Sequence, residues 1–283
     1  MNPVTLRLRL VLLGIAVGCF YKIAFFRLCD HCYFEYPIRD SFFPGWLQDA
    51  WTIRIAYLVL LVGILIAAFS DRRRWIWTGW FVLLSCLTVL NLHQGSYNDM
   101  TFLTAWWCGL WGLWVGSRLD VDASERLLAK ASRVGRVMLS IVLLGGAVGK
   151  WTDEYWSGQV LYEIYFVDRD FWTFNFVRRV ADAEIQRQIA TIYSRFVITL
   201  ESVGGLTLWL CRPRWASIGG AAIFGSIAVF SNFNLISVIA PLVMLSIACW
   251  PLTAERADVV SSQDDSRDLR SPSPSAASKS LIA

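Results

Sequence analysis

The sequence predicts an all-α fold: a polytopic helical membrane protein of about eight transmembrane helices, with both termini in the cytoplasm. Three observations lead there. The 283-residue chain is 56% hydrophobic and only 17% charged, with 15 Trp and 17 Phe, which is more apolar surface than one soluble core hides. The apolar residues fall into runs near the roughly 20 residues that a helix needs to cross the hydrocarbon. Lys and Arg collect in alternate connections, as expected when positive charge is retained on the cytoplasmic side. Residues 1–253 then form a helical transmembrane domain and residues 254–283 a tail.

The first run, near residues 9–27, follows Arg7 and Arg9 and ends in "FFRLCDHC" instead of a small-residue cleavage site, so it reads as a retained anchor. Further spans are expected near 52–70, 75–93, 99–117, 134–151, 192–211, 215–232 and 234–250. "DRRRW" follows the second, the stretch from Arg118 to Arg136 follows the fourth, and "RPRW" follows the sixth. These basic connections become cytoplasmic together with both termini. The opposite connections, at 28–51, 94–98, 152–191 and 231–234, are poorer in Lys and Arg or carry acids such as Asp153, Glu154, Glu163, Asp168 and Asp170. The net charge of +4 is therefore a matter of topology and does not point to nucleic acid. A bacterial cell inner membrane suits this pattern.

Two segments depart from it. Residues 254–283, rich in Ser, Pro, Asp and Arg, bury too little apolar area to offset their ordering entropy and predict a disordered cytoplasmic tail. Residues 159–190 mix aromatic and charged side chains, which suits one or two amphipathic helices at the outer interface or a solvated loop.

Of the seven cysteines, only Cys29 and Cys32, in "LCDHCYF", stand at C-x-x-C spacing. They emerge after the first span on the outer face, where a periplasm permits disulfides. Three readings are open: a redox-active dithiol whose thiolate His31 would favour, a local structural disulfide, and half of a zinc site. Zinc lacks a second cysteine pair to complete it, so no metal site is assigned. Cys19, Cys86, Cys108, Cys211 and Cys249 read as small buried hydrophobes in or near spans.

Ionisable groups in spans are costly, about 2.5 to 3.5 kcal/mol at a helix centre on insertion scales, and mark protein- or water-facing positions. Glu201, in "FVITLESVGGLTLWL", stands nearest the middle of a span, while Lys150 and His93 end spans on the outer side. Lys22 and Arg54 suit snorkelling to the headgroups. A lysine facing a dry outer-leaflet cavity shared with His93, Glu201 and the C-x-x-C would lose charged-form solvation and act as a base near neutrality.

These residues carry a resemblance. "LSIVLLGGAVGKWTDEYWSG", with Lys150 followed by Trp156 and Gly158, resembles the membrane-domain motif of the HTTM family, which includes the vitamin K-dependent gamma-carboxylases. "LNLHQGSYNDMTFLTAWWCGLW" resembles that family's Asn-His-x-Tyr helix, and "YSRFVITLESVGGLTLWLCRPRWASIGGAAIF" is similar to the DoxX and MauE type of small membrane protein, with its Glu-x-x-Gly-Gly motif. Together the likeness covers roughly residues 5–250. It implies that Lys150 is the base that deprotonates a hydroquinone, that His93 hydrogen-bonds a quinone oxygen, and that Asn91, Tyr97 and Glu201 line the pocket. The chain departs from the pattern at three points: Leu92 separates Asn91 from His93, Tyr97 sits one position late, and one extra residue lies between Lys150 and Trp156. The large extracytoplasmic region of the carboxylases is also not expected, so the implied function is a quinone pocket rather than glutamate carboxylation.

Two function classes follow. One is a quinone-linked membrane oxidoreductase in which Lys150, His93, Cys29 and Cys32 are catalytic and electrons pass between the quinone and the cysteines or a periplasmic thiol partner. The other is a noncatalytic assembly factor or subunit that holds a periplasmic or membrane protein partner. Transport is disfavoured by the lack of an inverted repeat or paired broken helices.

Overall fold

The computed structural model describes residues 2–24, 40–167, 172–231, 233 and 235–250. Cys29, His31, Cys32 and the tail from 254 to 283 lie outside the described residues. Among those described, the regular structure is helical throughout. The long helices are α1 (Pro3–Tyr21), α2 (Ala50–Phe69), α3 (Arg73–Leu92), α4 (Met100–Ser117) and α5 (Ser124–Val148). After them come the short α6 (Asp153–Trp156), α7 (Gln159–Tyr162) and α8 (Asn175–Val180), then the long α9 (Ala183–Leu210) and α10 (Pro213–Phe230) and the shorter α11 (Ile236–Ala248). A helix thus lies along each apolar run. By length and composition α1, α2 and α3 are able to cross a membrane, and α11 is a shorter apolar helix.

Local signals set the starts. Asn2, Asp49, Asp99 and Asp182 each accept a hydrogen bond from a first-turn amide, at Val4, Trp51, Thr101 and Ile185. Pro3 and Pro213 open their helices with a residue that has no amide proton to satisfy. Three helices begin well before the expected spans: α1 at 3 instead of 9, α5 at 124 instead of 134, and α9 at 183 instead of 192. The reason is physical. An average over an apolar window stops at the first charges, whereas a helix continues wherever the charges share one face, as Arg126, Lys130 and Arg133 do on α5.

Close contacts fix the topology. Gly14 of α1 lies against Ala240 and Pro241 of α11, and Gly18 against Ser237, so those helices run antiparallel. Opposed register also joins α1 to α2 (Arg9 with Asp71, Tyr57 with the Cys19 carbonyl), α2 to α3 (Gly63 with Leu83, Ala67 with Gly79), and α3 to α4 (Leu83 with Gly109, Ile76 with Gly116). The same holds for α4 and α5, where Trp111 Nε1 donates to the Ala131 carbonyl and Trp107 Nε1 to that of Met138. It holds for α5 and α9 (Ser140 with Gly205), for α9 and α10 (Gly204 with Ile223), and for α10 and α11 (Gly220 with Ser246). The bundle therefore runs up and down. Arg7, Arg9, Arg73, Arg136, Arg212 and Arg214 gather at one end, and Lys22, His93, Asp99 and Lys150 at the other.

Trp80, Trp111, Phe102 and Phe224 fill the core, while Leu13, Leu58, Val62, Leu65, Phe81, Phe196 and Leu206 stand exposed on the bundle's outside. Such an apolar exterior suits a bilayer. Inside, polar pairs tie helices together: Thr101 with Ser237 at 2.8 Å, and Ser140 Oγ donating to the Gly205 carbonyl at 2.7 Å.

Of the two expectations for residues 159–190, short helical pieces prevail over a solvated loop among the described residues. Leu161, Tyr165, Phe166 and Ala190 form a second small core with Tyr155, Tyr162, Phe174 and Tyr193 around it. This aromatic cap sits over the end that carries Lys150.

Candidate functional site

Lys150 stands in the turn that ends α5, and Glu201 lies in the middle of α9, which runs antiparallel to it. The Lys150 ammonium meets both carboxylate oxygens, at 2.8 Å to Oε1 and 2.6 Å to Oε2, and a third contact runs to the Gly146 carbonyl at 3.4 Å. The glutamate side chain is 8% exposed and the lysine side chain 24%, so the glutamate is the more hidden partner and the lysine keeps partial exposure. Gly146 makes the room: a Cβ there would stand 3.3 Å from Glu201 Oε2 and 3.6 Å from Lys150 Nζ.

Aromatic groups close the site. Burial and the nearby Glu201 carboxylate push the Tyr155 phenol above its ordinary value, and Tyr193 lies within electrostatic reach of the same carboxylate. Ser194 donates to the Tyr155 carbonyl, which anchors the short α6 to α9. Trp151 stacks on Trp156 with centroids 5.2 Å apart, and the Arg195 guanidinium lies 5.5 Å over Trp156. Chemically, this is a carboxylate–ammonium pair with the Tyr155 phenol within electrostatic reach and the Trp151–Trp156 stack following Lys150 in the chain.

Of the groups expected to share a cavity with Lys150, Glu201 meets it directly, from a helix 51 positions further along the chain. His93 belongs to a different corner of the same end. It is fully buried; its Nε2 lies 3.0 Å from the Asp49 carbonyl, and its Nδ1 accepts from the Gly95 amide at 3.1 Å. An acceptor at Nδ1 places the ring proton on Nε2, which then donates to Asp49. Both ring nitrogens are engaged in joining the end of α3 to the start of α2.

Beside it, Asn91 donates to the Leu87 carbonyl at 2.8 Å while its Oδ1 is buried without a hydrogen-bond partner. Tyr97 is half exposed and packs edge-on against Phe43, with centroids 5.3 Å apart. Lys22 does not simply snorkel: it pairs with Asp99 at 2.6 Å. Arg54 lies 5.1 Å from the Trp51 ring centroid. Cys19, Cys86, Cys108 and Cys249 are buried free thiols, and Cys211 is half-buried. Among the described residues no group of three or more His, Cys, Asp or Glu is placed to hold a metal ion.

Sequence reasoning named Lys150 and Glu201 for one cavity without their ion pair and missed Asp49, Asp99, Tyr155 and Tyr193. Asp49 and Asp99 carried a visible signal, an acid directly before an apolar run. Tyr155 and Tyr193 carried none, because only the fold of the cap brings them to Glu201. No protein-family model, no curated protein and no solved structure matches the chain.

Proposed function

We propose that the protein is a multi-pass protein of the cell inner membrane, with eight spans and cytoplasmic termini, and that it is a quinone-linked oxidoreductase acting at an outer-leaflet site. The observation that supports this reading is the Lys150–Glu201 pair. An ammonium held by both oxygens of a hidden carboxylate, on a side chain that keeps partial exposure, is a proton store placed where a lipid-soluble ring would arrive. The resemblance of the Lys150 and Glu201 segments to the HTTM and DoxX groups favours a quinone as that ring.

In the reaction, the Cys29–Cys32 dithiol is oxidised to a disulfide and the quinone is reduced to hydroquinone. Two electrons and two protons leave the thiols and arrive on the quinone oxygens, so the step balances. Lys150 delivers a proton to the nearer oxygen and regains one released by the thiols; Glu201 holds the ammonium in place between transfers. Proton transfer requires about 2.6 to 3.2 Å between heavy atoms. A periplasmic thiol protein is the natural electron donor to the disulfide.

Solvent extraction of the purified chain tests the reading. Quinone should be recovered from the wild type and depleted in Lys150→Ala, with the variant still present in membranes. Wild-type protein free of quinone, and unresponsive to added quinone, overturns it. The second reading, a noncatalytic assembly factor or subunit, is favoured by the same ion pair seen as a brace between α5 and α9. It requires Lys150→Ala to lower accumulation while leaving function per molecule unchanged.

A further inference from the structure

The basic end of the bundle holds a charge the ion pair does not explain. Arg7 of α1 is 4% exposed and, among the described residues, makes no hydrogen bond and no ion pair. Its neighbours in the chain behave differently: Arg9 pairs with Asp71 at 2.9 Å. A guanidinium does not release its proton in a protein, so Arg7 remains a cation wherever it is placed. A buried cation without an anion is strongly destabilising.

Two buried donors without a partner lie on other helices of the same end. Arg136 of α5 gives Nη1 to the Cys211 carbonyl at 3.1 Å, but its buried Nε has no partner. Arg7 and Arg136 both lie within electrostatic reach of the Cys249 thiol at the end of α11, and Arg133 lies within reach of Arg136. Ser217 of α10 is 2% exposed, and its Oγ is buried without a partner. Gly220 lies against Ser246 of α11 and Leu208 of α9, so Ser217, one turn nearer the basic end, stands at the level of Cys249 and Cys211. At the same end, beside Ser217 in the chain, lies a cleft of about 260 Å³ lined by Arg212, Arg214, Trp215, Ile218 and Trp250.

We propose that Arg7, Arg136 and Ser217 bind a phosphate-bearing anion at the basic end of the bundle. The donors are those a phosphate oxygen accepts from, two guanidinium forks and a hydroxyl. Among the described carboxylates at this end, Asp71 pairs with Arg9, Asp120 with Arg73 and Asp122 with Lys130, while Glu125 is exposed on the first turn of α5. Trp215 and Trp250 flank the cleft as indoles do at headgroup depth. The headgroup of an anionic phospholipid and free phosphate share this chemistry, and the experiment separates them.

The full chain, purified in a non-ionic detergent, is unfolded by heat with added phosphatidylglycerol, phosphatidylcholine or inorganic phosphate, and bound lipid is counted by native mass spectrometry. Phosphatidylglycerol should bind and raise the midpoint while phosphatidylcholine does not. A rise with inorganic phosphate that equals the rise with phosphatidylglycerol assigns the site to free phosphate; a rise with the lipid alone assigns it to the headgroup. Arg7→Met and Arg136→Gln should each weaken phosphatidylglycerol binding about tenfold or more, the worth of a charge-assisted hydrogen bond. Arg7→Met should also melt no lower than wild type without added lipid, since it removes an unpaired buried charge. If Arg7→Met does not fold, Arg136→Gln decides alone. Equal response to the two lipids with no response to phosphate, or variants that respond as wild type does, overturns the proposal.

Discussion

At the scale of single residues, the Lys150–Glu201 contact is where charge, burial and room have to agree. Removing one partner leaves the other facing neutral atoms. Glu201→Gln should therefore destabilise by about 1 to 3 kcal/mol, less than the 3 to 5 of a fully buried pair because the lysine keeps water contact. Thermal unfolding in detergent reads this directly. Lys150→Met with Glu201→Leu removes both charges and should recover most of the loss, while leaving the protein unable to respond to quinone. The paired glycines give a finer check. A Cβ at Gly145 meets open space, so Gly145→Ala should gain up to about 1 kcal/mol of helix propensity. Gly146→Ala has the same propensity gain but presses on Glu201 Oε2, and it should end less stable than Gly145→Ala. His93 was legible as a candidate and not as a joint. Its partners, the Asp49 carbonyl and the Gly95 amide, are backbone groups that no side-chain pattern reveals. His93→Ala should cost about 2 to 4 kcal/mol, since two buried groups lose partners at once, and lowered folded yield is the measurement.

At the scale of elements, the apolar runs marked where long helices lie, and the acids and prolines before them marked several starts. Their true lengths were not legible, because α5 and α9 extend into charged turns whose helicity depends on one face being covered. Contact faces were hidden for a similar reason: which side of α1 meets α11 depends on small residues that look alike in sequence. Gly18 is one such point, where a Cβ would come within 2.5 Å of the Ser237 carbonyl oxygen. Gly18→Val should thus push α1 off α11 at a cost of about 1 to 3 kcal/mol. Gly219→Ala, which meets no neighbouring atom, should stay within about 0.5 kcal/mol of wild type or exceed it. The two melting midpoints, compared in one detergent, check the assigned packing face.

At the scale of the whole molecule, Arg7, Arg9, Arg73, Arg136, Arg212 and Arg214 stand at one end of an up-and-down bundle, and the retention of positive charge predicts that this end is cytoplasmic. Reporters fused after residue 95 and after residue 165 should read periplasmic, and those after residue 73 and at the tail cytoplasmic. A periplasmic tail would reverse the arrangement and move Cys29 and Cys32 into a reducing compartment. With that orientation, the thiols of Cys29 and Cys32 should disappear from labelling gels as oxidised quinone is titrated, and Lys150→Ala should slow the change. A structural disulfide behaves otherwise: with a potential below roughly −300 mV it stays oxidised whatever the quinone state.

By itself the sequence determined that this chain is helical, with apolar runs that suit a bilayer, because composition and run length report on solvent and are additive along the chain. It also singled out Lys150 and Glu201, since a charge within an apolar run is visible without knowing its neighbours. Only the tertiary structure decided that these two meet, that His93 joins α2 to α3, and that Arg7 is buried without a carboxylate partner among the described residues. Partnership depends on which helix faces stand together across tens of residues of chain. That choice is made by close packing at small residues such as Gly14, Gly18 and Gly146, where the local pattern carries no address.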